Sequence, residues 1–261
     1  EKGNKMGYKD DPIIAMENQI LNAYKNGHDI QLHIHPQWVD CKYEDGFWKL
    51  DMDNWRLGDY VTKNEVTLEV LLHLGKETLE KLIQRIDQGY SCIALRAGGY
   101  NIMPSDNVFK AMQKVGLLVD SSIFPGGNED SNLSKFDYTK VPDTYDYWYA
   151  DKSDLRLKSN NSNVILEMPI FALPILRIKK LLNINQIISR FIRKGTKMSA
   201  NTHAKFKINK FSIIKYFFTK EAYTWDTTVF SENMHNSFFK YIKNNLKNKR
   251  EHFVLIGHPK S

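Results

Sequence analysis

The chain has 261 residues, of which 42% are hydrophobic and 26% charged, and its formal net charge is +7. This length is enough for one large domain with a substantial core. A mean hydropathy of −0.48, with no apolar run near the roughly 20 residues of a membrane span, leads us to expect a cytoplasmic protein. The two cysteines, Cys41 and Cys92, exclude a framework of several disulfides.

The predicted elements alternate between helices and strands. Hydrophobic spacing and end signals predict helices over residues 13–25, 65–88, 105–115 and 231–249. Strands are predicted over residues 29–34, 91–95, 117–119, 164–168 and 252–256. Long loops run to about residue 64 and over residues 122–163. This alternation favours a parallel sheet in one α/β domain, residues 1–261, with a basic insertion at about 177–220.

Each predicted strand ends in a side chain capable of chemistry. These side chains are His33 and His35, Arg96, Asp120, Glu167 and His258. In parallel α/β folds the carboxyl ends of the strands lie at one edge of the sheet, where functional sites assemble. We therefore expect the five strand ends to converge on one site.

His33 and His35 lie two apart in a predicted strand, so their side chains point to the same side. Two imidazoles on one side can hold a divalent metal such as zinc, although a third ligand, usually a carboxylate, is also needed. The alternative is a pair of structural histidines with satisfied hydrogen bonds.

Three of the other strand-end residues, Arg96, His258 and Asp120, also allow two interpretations each. Arg96 comes just before Gly98 and Gly99, which permit close backbone approach, and it can orient a carboxylate or close a strand-end salt bridge. His258 can be a general acid or a structural histidine. Asp120 can bind substrate hydroxyls or cap a turn. Glu167 precedes a proline and can form a loop salt bridge.

Taken together, these segments resemble a known family. The motifs are HDIQLHIHPQW at residues 28–38, RAGGY at 96–100, VDSS at 119–122 and IGHPK at 256–260. In this order they are similar to motifs of the polysaccharide deacetylases, the carbohydrate esterases that include chitin and peptidoglycan deacetylases. The nearest likeness is to the branch found in bacterial surface-polysaccharide loci, which Tyr147-Trp148 and residues 167–170 (EMPI) also fit.

The resemblance implies a distorted (β/α) barrel, here without its first strand or strands and its last helix. It implies a divalent metal, usually zinc, and metal-assisted hydrolysis that removes acetyl groups from an acetylated sugar or polysaccharide. Carried over, His33 and His35 are metal ligands and His258 is the general acid. Arg96 orients a catalytic aspartate. The substrate-binding candidates are Tyr100, whose backbone helps to hold the oxyanion, with Asp120 and Trp148.

Two features depart from the family pattern. Its metal histidines are usually four residues apart, and here Gln37 stands four after His33, so we assign the second place to His35. The family also opens with an apolar strand that ends in paired aspartates, whereas Asp10-Asp11 follows a polar run and is interpreted as a helix start. We therefore expect an inactive fragment whose catalytic aspartates lie upstream.

The net charge is concentrated in one segment. Residues 177–220 contain twelve Lys and Arg and no Asp or Glu, which leaves 25 basic against 30 acidic residues elsewhere. Residues 178–192 form a basic amphipathic pattern that suits peripheral contact with the anionic surface of the inner membrane, or an ordinary helix with a solvated basic face. No nucleic-acid motif accompanies this segment, so we expect no nucleic-acid partner.

Two other functions stay open. One is a non-catalytic carbohydrate-binding relative with a degenerate metal site, which Gln37 suggests. The other is an amide hydrolase for a small non-sugar substrate. Aromatic side chains favour a glycan, because aromatic faces bury the apolar surfaces of sugars; they are Trp38, Trp48, Trp55, Tyr147 and Trp148.

Overall fold

The computed structural model describes residues 11–142, 146–160, 165–178, 219–228, 231–247 and 249–257. Asp10, His258 and most of the basic segment (179–218) lie outside the described residues, so the predictions made for them stay predictions. The chain divides into two compact units. The first contains the described residues up to Ser122 with Glu129–Phe136 and Trp148–Met168, and the second contains Ile123–Asn128, Asp137–Tyr147 and the described residues from Pro169 onward.

The helices largely follow their predicted positions. They are α1 (Pro12–Lys25), α2 (Leu68–Ile83), α3 (Asp106–Val115) and α4 (Glu232–Tyr241), which continues into a π-helical turn, Ile242–Leu246. The Asp11 carboxylate accepts a hydrogen bond from the Ile13 amide at 2.8 Å, which confirms the predicted helix start. Gly116, at φ 73°, ends α3 as predicted. No helix in the described part of the chain is long and apolar enough to cross a membrane.

Twelve strands, each of two to five residues, are present in the described chain. They are β1 (Leu32–Ile34), β2 (Lys42–Glu44), β3 (Phe47–Lys49), β4 (Ala94–Ala97), β5 (Val119–Asp120), β6 (Asn128–Asp130), β7 (Lys135–Asp137), β8 (Trp148–Asp151), β9 (Asp154–Lys158), β10 (Leu166–Glu167), β11 (Ala172–Leu176) and β12 (Lys220–Thr224).

The main sheet lies in the first unit and has the order β1-β4-β5-β10-β8-β9. The first four strands are parallel, as the alternation of helices and strands predicted. The strands β8 and β9 add to β10 in antiparallel fashion, so the sheet is mixed. Within the described residues the sheet runs from β1 at one edge to β9 at the other, and its closure into a barrel stays a prediction.

Helix α2 packs directly against β1. Leu32 and Ile34 are buried on either side of the exposed His33, and they lie beneath Gly75 of α2. A Cβ atom at Gly75 would come within 2.8 Å of Leu32 Cδ1, so a larger residue at this position would force the Leu32 side chain to shift. The apolar strand face therefore anchors β1 and leaves the His33 side chain on the opposite face.

The second unit has its own aromatic core. Strands β11 and β12 pair in antiparallel fashion, and α4 supplies Phe238 to the core beside them. The core residues are Phe171, Leu173, Ile175, Trp225, Met234, Phe238 and Leu246. The predicted last strand is reduced to two isolated bridges, at Val254 and Ile256.

The prediction of two long segments without secondary structure is wrong, because both contain strands. The first contains the hairpin β2–β3, and the second contains β6 to β9. All six residues of β2 and β3 are exposed, so they lack the alternation of apolar and polar residues that reveals a half-buried strand.

Candidate metal centre and active site

Four of the five predicted strand ends come together in the first unit. In the register of the sheet, His33 is paired with Arg96, and Asp120 is paired with Glu167. Strand β5 also lies beside β4, where Leu95 is the partner of Asp120. These four residues therefore lie at the ends of neighbouring strands, as predicted, and their convergence on one site stays a prediction. His258 lies outside the described residues.

The two histidines bring their Nε2 atoms close together. His33 Nε2 and His35 Nε2 are 3.0 Å apart, and both side chains are exposed. His33 Nδ1 lies 2.9 Å from the Arg96 carbonyl oxygen. Because a carbonyl only accepts, His33 Nδ1 carries the proton, and Nε2 of the neutral ring keeps its lone pair. Two nitrogens that each lie about 2.1 Å from one ion are about 3.0–3.4 Å apart for angles of about 90–109° at the ion. The hydrogen-bonded pair is therefore close to the spacing that a shared divalent cation needs.

Gly98 makes room for the His35 ring. A Cβ atom at this position would lie 2.6 Å from His35 Nδ1 and 2.8 Å from the Ile34 carbonyl oxygen. The sequence predicted a glycine that allows close approach to a ligand. In the structure the approaching group is His35 itself, so Gly98 sets the position of one of the two histidines.

The described residues place two candidate metal ligands, His33 and His35, side by side. Among them, no group of three or more His, Cys, Asp or Glu side chains is placed to hold a metal ion. A third protein ligand and the metal itself therefore stay predictions.

The Arg96 side chain turns toward the neighbouring strand end. Its Nε donates to the Ser121 carbonyl oxygen at 2.9 Å, and a terminal nitrogen donates to Ser121 Oγ at 3.1 Å. Burial lowers the pKa of Arg96, while Tyr100, Asp120 and Glu167 oppose this shift through their charges. The guanidinium is thus a cation held beside two carboxyl groups.

Asp120 and Glu167 form a buried carboxyl pair. Neither has exposed surface, and their side chains are hydrogen-bonded to each other. The Asp120 carboxylate also accepts from Ser122 Oγ at 2.7 Å and from the Ser122 amide at 3.1 Å, which confirms the turn-capping interpretation of Asp120. Burial raises the pKa of Asp120 against these hydrogen bonds. Two buried carboxyls in contact cannot both ionise cheaply.

The three substrate-binding candidates differ in position. Tyr100 has φ 63°, a left-handed conformation that is strained for a tyrosine, in the short 3-10 helix Gly98–Tyr100 after β4. Trp148 is buried, and its indole N–H donates to the Leu155 carbonyl at 2.9 Å. Trp148 and Asp120 are buried and hydrogen-bonded within the protein. Direct contact of Tyr100, Asp120 and Trp148 with a substrate stays a prediction.

An exposed aromatic cluster follows the histidines. Trp38 ends the 3-10 helix Pro36–Trp38 immediately after His35, and it contacts Trp48 of β3, which contacts Tyr43 of β2. The exposed fractions of these three side chains are 49%, 41% and 43%. Large aromatic side chains exposed together in this way make the cluster a candidate binding surface. The sequence singled out Trp38 and Trp48, but Tyr43 enters only because the hairpin forms.

In the second unit, the structure pairs two residues that the sequence analysis did not select. His252 Nδ1 lies 2.9 Å from Asp146 Oδ2, and Asp146 also accepts from the His252 amide at 2.8 Å. These hydrogen bonds hold the pKa of Asp146 below its ordinary value, against the effect of partial burial. The residues are 106 positions apart, so no local pattern in the sequence indicates this pair.

The fold and the site define an α/β protein with two neighbouring histidines at the carboxyl end of the parallel strand β1. In comparisons of the chain with known proteins, no protein-family model, no curated protein and no solved structure matches it.

Proposed function

We propose that the protein is a metal-dependent hydrolase of the polysaccharide deacetylase type, which removes acetyl groups from an acetylated sugar. The observation that carries this proposal is the convergence of His33 Nε2 and His35 Nε2 at 3.0 Å, at the carboxyl edge of a parallel sheet. Zinc is the expected ion, because imidazole nitrogens in exposed sites suit it.

The residues of this chain would hold and orient the reacting groups. His33 and His35 would hold the cation, which polarises a carbonyl and activates water when bound. The Arg96 carbonyl fixes the orientation of the His33 ring, and Gly98 makes room for the His35 ring. By resemblance, the Tyr100 backbone would help to stabilise the oxyanion, and His258 would protonate the leaving amine.

A sugar substrate is supported by the aromatic cluster Trp38, Tyr43 and Trp48. Groups of exposed aromatic rings can stack on the apolar faces of sugar rings. A surface that only faces water does not require such a group of rings. Their place beside the histidines in the chain would put a bound glycan next to the cation.

The test uses zinc binding and release of acetate from N-acetylated chitooligosaccharides. We expect about one zinc ion per chain, and His33→Ala should lose it. Where the chain hydrolyses the substrate, His33→Ala should lose that hydrolysis as well. The matched control is His73→Ala, which removes an exposed histidine from α2 and should change neither measurement. Wild-type protein that binds no zinc, or hydrolysis that survives His33→Ala, would contradict the proposal.

The aromatic cluster also supports a second candidate, a protein that binds glycans without hydrolysing them. In both cases Trp48→Ala should weaken oligosaccharide binding roughly tenfold, because a stacking surface of about 1.4 kcal/mol is lost. Tyr149→Ala removes an equally exposed ring from β8 and serves as the control. Glycan binding without zinc binding or acetate release would favour the second candidate.

A further inference from the structure

Gln37 is a buried amide in contact with one of the two histidines. It lies in the 3-10 helix Pro36–Trp38 and is only 3% exposed. Its Nε2 is 3.3 Å from His35 Nδ1, whereas its Oε1 is buried with no hydrogen-bond partner in the described part of the chain. A buried amide oxygen without a partner costs free energy and therefore calls for an explanation.

The present amide orientation determines where His35 carries its proton. An amide nitrogen only donates, so His35 Nδ1 accepts, and the proton of the neutral ring is on Nε2. That proton points to His33 Nε2, 3.0 Å away, and His33 in turn donates from Nδ1 to the Arg96 carbonyl. The hydrogen bonds thus run from Gln37 through both rings to the backbone.

Binding of a cation by both histidines needs the other tautomer of His35. The lone pair must then be on His35 Nε2 and the proton on Nδ1, which requires an acceptor at the place now taken by the Gln37 nitrogen. A half-turn of the amide exchanges its nitrogen and its oxygen, which are nearly equal in size. The oxygen that now has no partner would accept from His35 Nδ1.

We propose that Gln37 is a positioning residue that sets the tautomer of His35, and that its amide turns over when His33 and His35 bind a divalent cation. This inference rests on the proposed function, since it assigns the cation to the same two histidines. The residue that departs from the family spacing of metal histidines thereby becomes the orienting partner of the histidine that takes the second place.

Two variants and one control test the inference. Gln37→Met keeps the length of the side chain but neither donates nor accepts strongly, and Gln37→Glu only accepts when ionised. Gln84→Met is the control, because Gln84 donates its amide to the Tyr90 carbonyl at the end of α2. Circular dichroism shows whether each variant is folded. If Gln37→Glu does not fold, the Zn²⁺ affinity of Gln37→Met still tests the inference.

The first measurement is the tautomer of His35 in metal-free protein, from ¹⁵N NMR of the imidazole nitrogens. We expect the proton on Nε2 in the wild type and on Nδ1 in Gln37→Glu. The second is the Kd for Zn²⁺, which should weaken about 10- to 100-fold in Gln37→Met, as on loss of the orienting partner of a metal histidine. Gln37→Glu should bind at least as tightly as the wild type, and Gln84→Met should match it.

Two results would overturn the inference: an unchanged tautomer in Gln37→Glu, or a Kd for Gln37→Met equal to that of the wild type. A wild-type protein that binds no Zn²⁺ would instead overturn the proposed metal site. The tautomer comparison in metal-free protein then decides by itself whether Gln37 controls His35.

Discussion

His35 depends on a glycine of the neighbouring strand end. The Gly98→Ala substitution would place a methyl group 2.6 Å from His35 Nδ1 and 2.8 Å from the Ile34 carbonyl oxygen. The His35 ring would therefore have to leave its present position beside His33. We expect the affinity for Zn²⁺ to fall at least about tenfold, since ligand orientation is worth that much at metal sites. Isothermal titration calorimetry measures the change.

Gly89→Ala is the control for this substitution. Its added methyl group would meet the Asp87 carboxylate at 3.3 Å, a flexible side chain away from the histidines. Unchanged zinc affinity in Gly98→Ala would show that His35 is not held by this contact.

The pair of Asp120 and Glu167 predicts a particular pH dependence of stability. Burial raises the pKa of Asp120 above its ordinary value of 3.8, so the folded protein holds this proton more tightly than the unfolded chain. The resulting stabilisation is complete below the ordinary pKa and is lost as the pH rises through the raised value. Asp120→Asn has no proton to lose at this position, so its stability lacks the contribution of Asp120 and keeps that of Glu167.

Urea unfolding between about pH 4 and pH 8 measures this difference. The free energy of unfolding of the wild type, relative to Asp120→Asn, should decrease as the pH rises over this interval. A difference that stays constant or increases would mean that Asp120 ionises in the folded protein at least as easily as in the unfolded chain.

At the scale of elements, one serine joins two parallel strands. Ser122 Oγ accepts from the Ala97 amide at the end of β4 at 2.8 Å and donates to Asp120 of β5 at 2.7 Å. Ser122→Ala leaves a buried amide and a buried carboxyl each without one hydrogen bond. We expect a loss of about 1–3 kcal/mol in the free energy of unfolding, measured in urea.

Ser121→Ala is the neighbouring control. Ser121 Oγ accepts one bond, from the partly buried Arg96, so its removal should cost less than that of Ser122. Equal losses in the two variants would contradict the linking role of Ser122.

Helices and strands with capping residues or a hydrophobic period were predicted from the sequence. Strands that form only because they pair with a neighbouring strand were not. Helix α1 has a capping aspartate and α3 ends at a left-handed glycine, so both helices were found. The hairpin β2–β3 is exposed on both faces, and β9 carries Asp154, Arg156 and Lys158. These exposed or charged strands form because they pair with a neighbouring strand. Their sequences lack the alternation of apolar and polar residues that would predict a strand.

At the scale of the whole molecule, the second unit depends on its own aromatic core. Phe238 is fully buried, with ring centroids 5.0 Å from Trp225 and 5.7 Å from Phe171. Phe238→Ala should reduce the free energy of unfolding by about 3–5 kcal/mol, because it removes apolar burial and leaves a cavity. Thermal and urea unfolding measure the loss.

The adjacent Phe239→Ala is the matched control, since Phe239 is exposed and only meets Trp225 edge-on. It should cost about 1 kcal/mol or less. Similar losses for the two variants would show that Phe238 is not a core residue of this unit.

The sequence by itself determined the helices with capping signals, the parallel strands between them and the set of ionisable residues at the strand ends, because each carries a local pattern. Only the tertiary structure determined which of those residues contact one another and at what distances. The register of the sheet pairs Asp120 with Glu167, the backbone at Gly98 admits the His35 ring, and Gln37 meets its Nδ1. Such distances depend on how strands and turns pack, so a linear pattern does not contain them.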